Sequence, residues 1–150
     1  MTRAAGLTRL LLKTYVLFSL YRALHWQAPA ATPNGARAVF EQHYLGQFEL
    51  FGALAQHLLA LGGGCSSSLD RIGRGINTFD ARRRACAADH LRVLLAAHQT
   101  VLTETRALMR ARRALRSPGT AEIVGRIAQT NELQIQSVAG QLTVQGHVRI

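Results

Sequence analysis

Cysteine, proline and lysine are scarce in this sequence of 150 residues. Two cysteines cannot form a disulfide framework, so the chain is expected to be a reduced, cytosolic protein. Cys65 and Cys86 lack a CxxC spacing, and their role stays open. With only three prolines and few β-branched stretches, the composition favours helix over strand.

No apolar run is long enough to span a bilayer. The most apolar segment, Leu7–Leu20, is interrupted by Lys13 and lacks a small-residue cleavage site after it. We therefore expect no membrane association. The length suits a single domain over residues 1–150, and an apolar content of 48% is sufficient for one packed core.

Acidic residues are also few: eight oppose eighteen basic ones, which gives a formal charge of +10. Lys13 is the only lysine, so nearly all of this charge is arginine. The balance favours an anionic partner, with nucleic acid ahead of a membrane surface. The alternative is a solvated, arginine-rich surface that binds no partner.

Apolar residues recur at three- and four-residue steps in four long segments, which predicts four amphipathic helices. Their approximate bounds are Leu7–Trp26, Thr32–Leu61, Asp80–Leu115 and Thr120–Leu142, followed by a tail of eight residues. The apolar stripe of the second helix is predicted to be Val39, Phe40, Tyr44, Phe48, Phe51, Leu54, Leu58 and Leu61. A long connection with its own short helix, Ser68–Gly75, should separate helices two and three.

Three parts of the sequence, one after another, make up a single recognisable pattern. The first is Thr14–Phe18 leading into Leu24-His25-Trp26, the second is Pro33-Asn34 followed by Phe40–Tyr44, and the third is Ala60–Gly63 followed by Ser68-Leu69. Together they resemble the Dps family, the DNA-binding mini-ferritins of starved cells, specifically in residues 14–69 and weakly elsewhere.

This resemblance implies an all-α, ferritin-like four-helix bundle with a short helix in the crossover between helices two and three. It also implies a subunit that dimerises through its crossover side and builds a shell of twelve copies. Such a protein would act in the bacterial cytoplasm, associated with the nucleoid.

In the Dps family, ferrous iron is oxidised at a site shared across the dimer interface. The resemblance assigns His25 and Glu41 to two of the five ligand positions. Arg37 stands in place of the second histidine, and Gly52 and Gln56 stand in place of the partner's two carboxylates. Since arginine is always charged and cannot act as a ligand, Arg37 should repel Fe²⁺ and could pair with Glu41 four residues on.

Glu49 offers a way to restore a weak metal site. It lies three residues before Gly52, on nearly the same helix face, so an altered site could consist of His25, Glu41 and Glu49. The simpler interpretation is that His25 packs with Trp26 at the interface and both glutamates are solvated or paired with arginine. The other helical histidines, among them His98, are expected to be hydrogen-bonded and structural.

The resemblance further implies that the end of helix three lines a threefold pore, which is usually acidic. In this sequence the candidate pore or nucleic-acid residues are all basic: Arg82, Arg83, Arg84, Arg110, Arg112, Arg113 and Arg116. Such a surface favours an anion or a phosphate backbone over Fe²⁺, unless these side chains simply point into solvent. The lysine-rich N-terminal tail with which family members often bind DNA is almost absent.

Three hypotheses follow from these observations. The first is a shell that binds DNA non-specifically and protects it, with iron oxidation weak or lost. The second is a working ferroxidase and iron-storage protein with an altered inter-subunit site. The third is a non-catalytic, ferritin-like structural subunit that co-assembles with a catalytic paralogue. Whether iron or any other metal binds is left open.

Overall fold

Four α-helices and no strand make up the part of the chain that the structure describes. The computed structural model describes residues 3–27, 35–62, 87–111 and 117–147. The helices are α1 (Arg3–Gln27), α2 (Ala36–Ala60), α3 (Ala87–Arg110) and α4 (Pro118–His147). The predicted crossover helix, both cysteines and all the candidate pore arginines except Arg110 lie outside the described residues.

Two of the helix boundaries follow from glycine and proline. After α2, Gly62 adopts a φ of 75° and its N–H donates to Leu59 O at 2.9 Å, so the glycine run ends the helix as predicted. Pro118 begins α4, where its missing N–H is not needed, and Ser117 O accepts from the N–H of Thr120 at 3.0 Å.

The C-terminal end of α4 differs from the sequence prediction. The eight-residue tail was expected to begin at Thr143, but α4 continues to His147. The segment contains no proline, and its single glycine, Gly146, lies only at the end of the helix, so the hydrogen-bonded ladder can continue.

Side-chain contacts define the order and direction of the helices. Helix α1 packs on α2 and α3, while α4 packs on α3 and α2. Tyr15 contacts Phe51 and Tyr21 contacts Phe40, so α1 and α2 are antiparallel. Arg9 contacts Glu104 and Tyr21 contacts His98, so α1 and α3 are antiparallel. Gln47 contacts Gln134 and His57 contacts Thr120, so α2 and α4 are antiparallel as well. Helices α2 and α3 therefore run in the same direction, as in bundles with a long crossover between these two helices.

The apolar core lies along the axis of this bundle and consists mainly of leucine. Its fully buried members from all four helices include Leu7, Leu10, Leu17, Leu54, Leu91, Leu94, Val101, Val124, Ile127 and Val138. The predicted stripe of α2 was wrong at two positions: Phe48 is 55% exposed and Leu61 is 40% exposed. Their outward orientation leaves the inner face of α2 to other residues, including His43 and Gln47.

One carboxylate links α1 to α3 through two ion pairs. Glu104, on α3, accepts a hydrogen bond from Arg9 at 2.7 Å and another from Lys13 at 3.0 Å. Burial favours the neutral acid, but the two cations outweigh it and hold the pKa of Glu104 below its usual range. The only lysine of the chain thus has a structural partner.

Candidate functional site

Aromatic side chains on α1 and α2, two of them exposed and three half-buried, form a continuous patch. We call Tyr15, Phe18, Trp26, Phe48 and Phe51 the aromatic face. Phe18 lies 5.5 Å from Phe48 and Tyr15 lies 5.3 Å from Phe51, measured between ring centroids. Trp26, 65% exposed, is joined to the patch by Arg22, whose guanidinium carbon lies 4.2 Å from the Trp26 ring. Exposed apolar area of this kind marks an interaction surface.

His25 lies beside the aromatic face, near the end of α1, with its ring oriented by the backbone. Its Nδ1–H donates to Arg37 O at 3.2 Å, and its ring packs edge-on against Tyr44. Because the carbonyl can only accept, this bond assigns the proton to Nδ1 and leaves the lone pair on Nε2. A histidine held in this way has the tautomer that metal ligands commonly use.

Arg37 and Glu41, one turn apart on α2, are both exposed and do not form the expected ion pair. Among the ion pairs between described residues, none joins these two side chains. The interpretation that Arg37 neutralises Glu41 within one subunit is therefore wrong for this structure. Exposed ion pairs at i, i+4 contribute little free energy, so both side chains remain in solvent.

The remaining candidate ligand positions lie further along α2. Glu49 and Gln56 are exposed, and a Cβ added to Gly52 would meet no atom within 4 Å. In the described part of one subunit, no three His, Cys, Asp or Glu side chains come close enough to hold a metal ion. His25, Glu41 and Glu49 are thus not brought together within a single chain.

A second group of polar side chains lies inside the bundle, and the sequence indicated only its histidines, of which His98 is hydrogen-bonded and structural as predicted. Its members come from all four helices: Tyr21, His43, Gln47, His98, Asn131 and Gln134. We call this group the core polar network. Each member is buried, and Gln47, His98 and Asn131 have no exposed surface.

Hydrogen bonds fix the direction of each donor in this network. Asn131 Nδ2 donates to Ile127 O at 2.7 Å, so its Oδ1 must accept from His98 Nδ1–H, also at 2.7 Å. His98 Nε2 then carries the lone pair and accepts from the Tyr21 hydroxyl at 2.5 Å.

The same reasoning orients the two glutamines. Gln134 Nε2 donates to His43 O at 3.3 Å, which leaves Gln134 Oε1 to accept from Gln47 Nε2 at 2.7 Å. Gln47 Oε1 and His43 Nδ1 have no hydrogen-bond partner among the described residues.

Burial keeps every titratable member of the network neutral. It lowers the pKa of His43 and of His98 to about 4 and raises the pKa of Tyr21 above its usual range. For His98, the hydrogen bond to Asn131 opposes this shift and the nearby His43 adds to it. The network therefore carries no formal charge at neutral pH.

Comparison with known proteins supports the same architecture. Residues 4–145 match the family model described as Ferritin: Ferritin-like domain. The chain belongs to the ferritin-like family. DpsC from Streptomyces coelicolor is similar in structure, with 27% sequence identity and a TM-score of 0.74, over 93% of this chain and 83% of DpsC. No curated protein sequence matches the chain significantly.

The match to DpsC confirms the Dps resemblance of the sequence. Ferritin-like proteins generally bind iron, and a Dps-type fold implies a homo-oligomeric shell. None of the described helices is both long enough and apolar enough to cross a membrane. Among the candidate arginines, only Arg110 can be located; it is exposed at the C-terminal end of α3.

Within the ferritin-like family, the composition of the core polar network is informative. In di-iron members of this fold, glutamates from two helices and Glu-x-x-His pairs from the other two project into the bundle. Here the core polar network consists of amides, imidazoles and one phenol, and none of its six members is a carboxylate. The core network of this subunit thus lacks the anionic ligands that a pair of iron ions requires.

Proposed function

We propose that this protein is a Dps-like mini-ferritin subunit that assembles into a hollow shell and binds DNA without reading its sequence. In this role it protects DNA under stress, in the bacterial cytoplasm at the nucleoid, and its iron oxidation is weak or lost. The observation that carries the proposal is a formal charge of +10 on a Dps-type subunit. A shell built from many such subunits attracts the phosphate backbone through counterion release.

The aromatic face supports assembly into dimers, from which a twelve-subunit shell is expected. Phe48 and Trp26 are more than half exposed in the single subunit, although they are among its largest apolar side chains. A twofold axis through this surface would cover the same rings on both copies. It would also bring His25 and Glu41 of one copy towards Gly52 and Gln56 of the other.

Replacing Phe48 with glutamate should break the shell into smaller species while the subunit stays folded. Burying one phenylalanine side chain contributes about 1.5–3 kcal/mol to the free energy of the interface. A twofold interface loses this amount twice, because the substitution is present in both copies. Native mass spectrometry measures the particle, and circular dichroism measures the helix content. Leu133→Glu is the matched control, because Leu133 is 60% exposed on α4, away from the aromatic face. If the particle mass of Phe48→Glu is unchanged, the aromatic face is not the interface between subunits.

DNA binding is expected at low salt and should weaken steeply as salt rises. Electrophoretic mobility shift over a salt series, with unrelated duplexes of equal length, measures both the slope and the lack of sequence preference. Arg110→Gln should lower the slope by about 1 for each phosphate contact that it removes. Arg22→Gln removes the same charge from the aromatic face and should leave the slope unchanged. Binding that fails at low salt, or that does not depend on salt, contradicts the proposal.

Weak iron oxidation follows from the residues at the assigned ligand positions. Arg37 contributes a permanent positive charge, and Gly52 and Gln56 contribute no carboxylate. A guanidinium beside Fe²⁺ opposes binding, and the opposition grows as the site is removed from water. The arginines expected at the pore oppose the entry of the same ion.

One observation favours a second function, a ferroxidase with an altered inter-subunit site. The hydrogen bond from His25 Nδ1 to Arg37 O leaves His25 Nε2 free to bind a metal, and Glu41 and Glu49 are both exposed. Ferrous iron oxidation by the purified shell, followed optically, distinguishes the two functions. A rate above that of buffer which Glu41→Ala abolishes would establish the altered site, whereas a rate equal to that of buffer excludes it.

A further inference from the structure

Two unpartnered polar atoms belong to side chains on the inner face of α2. His43 and Gln47 are four residues apart, so their side chains leave the helix on the same side, with Cβ atoms about 5–6 Å apart. Gln47 has no exposed surface and His43 is 8% exposed. His43 Nδ1 and Gln47 Oε1 are both buried and lack a hydrogen-bond partner among the described residues.

The neighbouring bonds prevent either group from satisfying itself by rotation. The amide of Gln47 cannot be flipped, since its Nε2 is needed by Gln134 Oε1, which is itself oriented by the bond from Gln134 Nε2 to His43 O. The ring of His43 is held by edge-on contact with Tyr21, at 5.0 Å between centroids. The hydrogen bonds thus keep Gln47 Oε1 unpartnered, and Tyr21 packs against the ring that carries the other unpartnered atom.

We propose that His43 Nδ1 and Gln47 Oε1 form a binding site for one small neutral molecule with hydrogen-bonding capacity, namely water. A water molecule that contacts both atoms can donate to Gln47 Oε1 and can either donate to His43 Nδ1 or accept from it. Buried water typically makes two to four such bonds with groups that would otherwise be unsatisfied. The bound water joins His43 to Gln47 and completes the core polar network.

A cation is a poor occupant of the same position. The adjacent side chains, Tyr21, His98, Asn131 and Gln134, are all neutral, and none of the six network members is a carboxylate. A divalent ion would leave its hydration shell without gaining an anionic partner, which is costly in an apolar core. A neutral molecule avoids this penalty.

A crystal structure of the complete protein at high resolution, with anomalous data at the zinc and iron edges, tests the proposal. We expect one density peak within hydrogen-bonding distance of both atoms and no anomalous signal there. An anomalous peak identifies a metal ion, and a site without density is dry; either result overturns the proposal.

Two variants test whether these atoms hold the water. Gln47→Leu should remove the peak, while the bond between Tyr21 and His98 remains. Gln141→Leu is the matched control, since Gln141 Oε1 is also a buried, unpartnered amide oxygen; its loss should leave the peak in place. If Gln47→Leu does not fold, His43→Phe, which keeps an aromatic ring at this position, is the variant that should lose the peak. A peak that persists in Gln47→Leu or His43→Phe contradicts the assignment.

Discussion

Lowering the pH from 7 to 5 should reduce the free energy of unfolding by about 2 kcal/mol through His98 alone. Its pKa falls from 6.5 in the unfolded chain to about 4 in the folded one. Below pH 6.5 the unfolded chain takes up a proton that the folded chain does not, so stability is complete above pH 6.5 and is lost as the pH falls. The total loss approaches about 3 kcal/mol at pH 4, at 1.36 kcal/mol for each pKa unit.

The structural reason lies in the bonds of His98. Its Nε2 must carry a lone pair to accept from Tyr21, and protonation removes that lone pair. The resulting cation would be surrounded by Tyr21, His43, Asn131 and Gln47, none of which is an anion. Protonation therefore removes a buried hydrogen bond and creates an unpaired buried charge, both of which favour unfolding.

Urea unfolding followed by circular dichroism, at fixed protein concentration and at several pH values, measures this effect. The double variant Tyr21→Phe/His98→Leu is the control, because it removes the donor and the acceptor together and leaves no titrating group at position 98. It should lose about half of the pH dependence between 7 and 5 and retain the part due to His43, whose pKa is also lowered to about 4. A wild-type stability that does not change between pH 7 and 5 contradicts the assignment of a neutral His98.

The four helices could be predicted from the sequence because each carries a long apolar repeat that glycine or proline interrupts at its ends. The break at Gly62 was located correctly for the same reason, whereas α3 ends at Arg110 instead of Leu115 and α4 begins at Pro118 instead of Thr120. Hydrophobicity alone misjudged the rotation of α2. Tyr44, Phe48 and Phe51 indicated the core, yet Phe48 faces outwards, and apolar periodicity cannot distinguish a core from a surface that a second subunit covers.

Because the rotation of α2 was wrong, the buried polar residues on its inner face were missed. Once the aromatic residues are assigned to the outer surface, the inner face of α2 reads Phe40, His43, Gln47, Leu50, Leu54 and Leu58, at three- and four-residue steps. Polar residues at positions of this repeat could have been recognised as buried. Their partners on α3 and α4 could not, because pairings such as His98 with Asn131 depend on tertiary contacts between helices.

The network also bears on the location of iron chemistry. Among the described residues, neutral side chains make up the core polar network, and the buried carboxylate of Glu104 is paired with Arg9 and Lys13, so neither offers an iron site in the core. The ligand positions that the Dps resemblance assigns are at the surface of α1 and α2, beside the aromatic face. We therefore expect substitutions at this surface to restore iron oxidation.

Restoring ligands at three positions should convert the shell into a ferroxidase. The variant Arg37→His/Gly52→Asp/Gln56→Glu replaces the guanidinium by an imidazole and supplies two carboxylates one turn apart. Outer-shell partners alone change metal affinity or activity by roughly 10- to 100-fold, so three direct ligands should raise the iron oxidation rate by more than roughly 100-fold. The aspartate fits position 52, since a Cβ there meets no atom within 4 Å in the subunit.

Iron oxidation is followed optically on shells whose mass equals that of the wild type. Adding Glu41→Ala to the triple variant is the control, and it should return the rate to the wild-type level because one of the five ligands is lost again. Arg37→His alone should have little effect, since it removes the repulsion without supplying the partner's carboxylates. If the assembled triple variant oxidises iron no faster than wild type, then the positions on α2 do not face His25 of a second subunit, and both the ligand assignment and the aromatic-face dimer fail together.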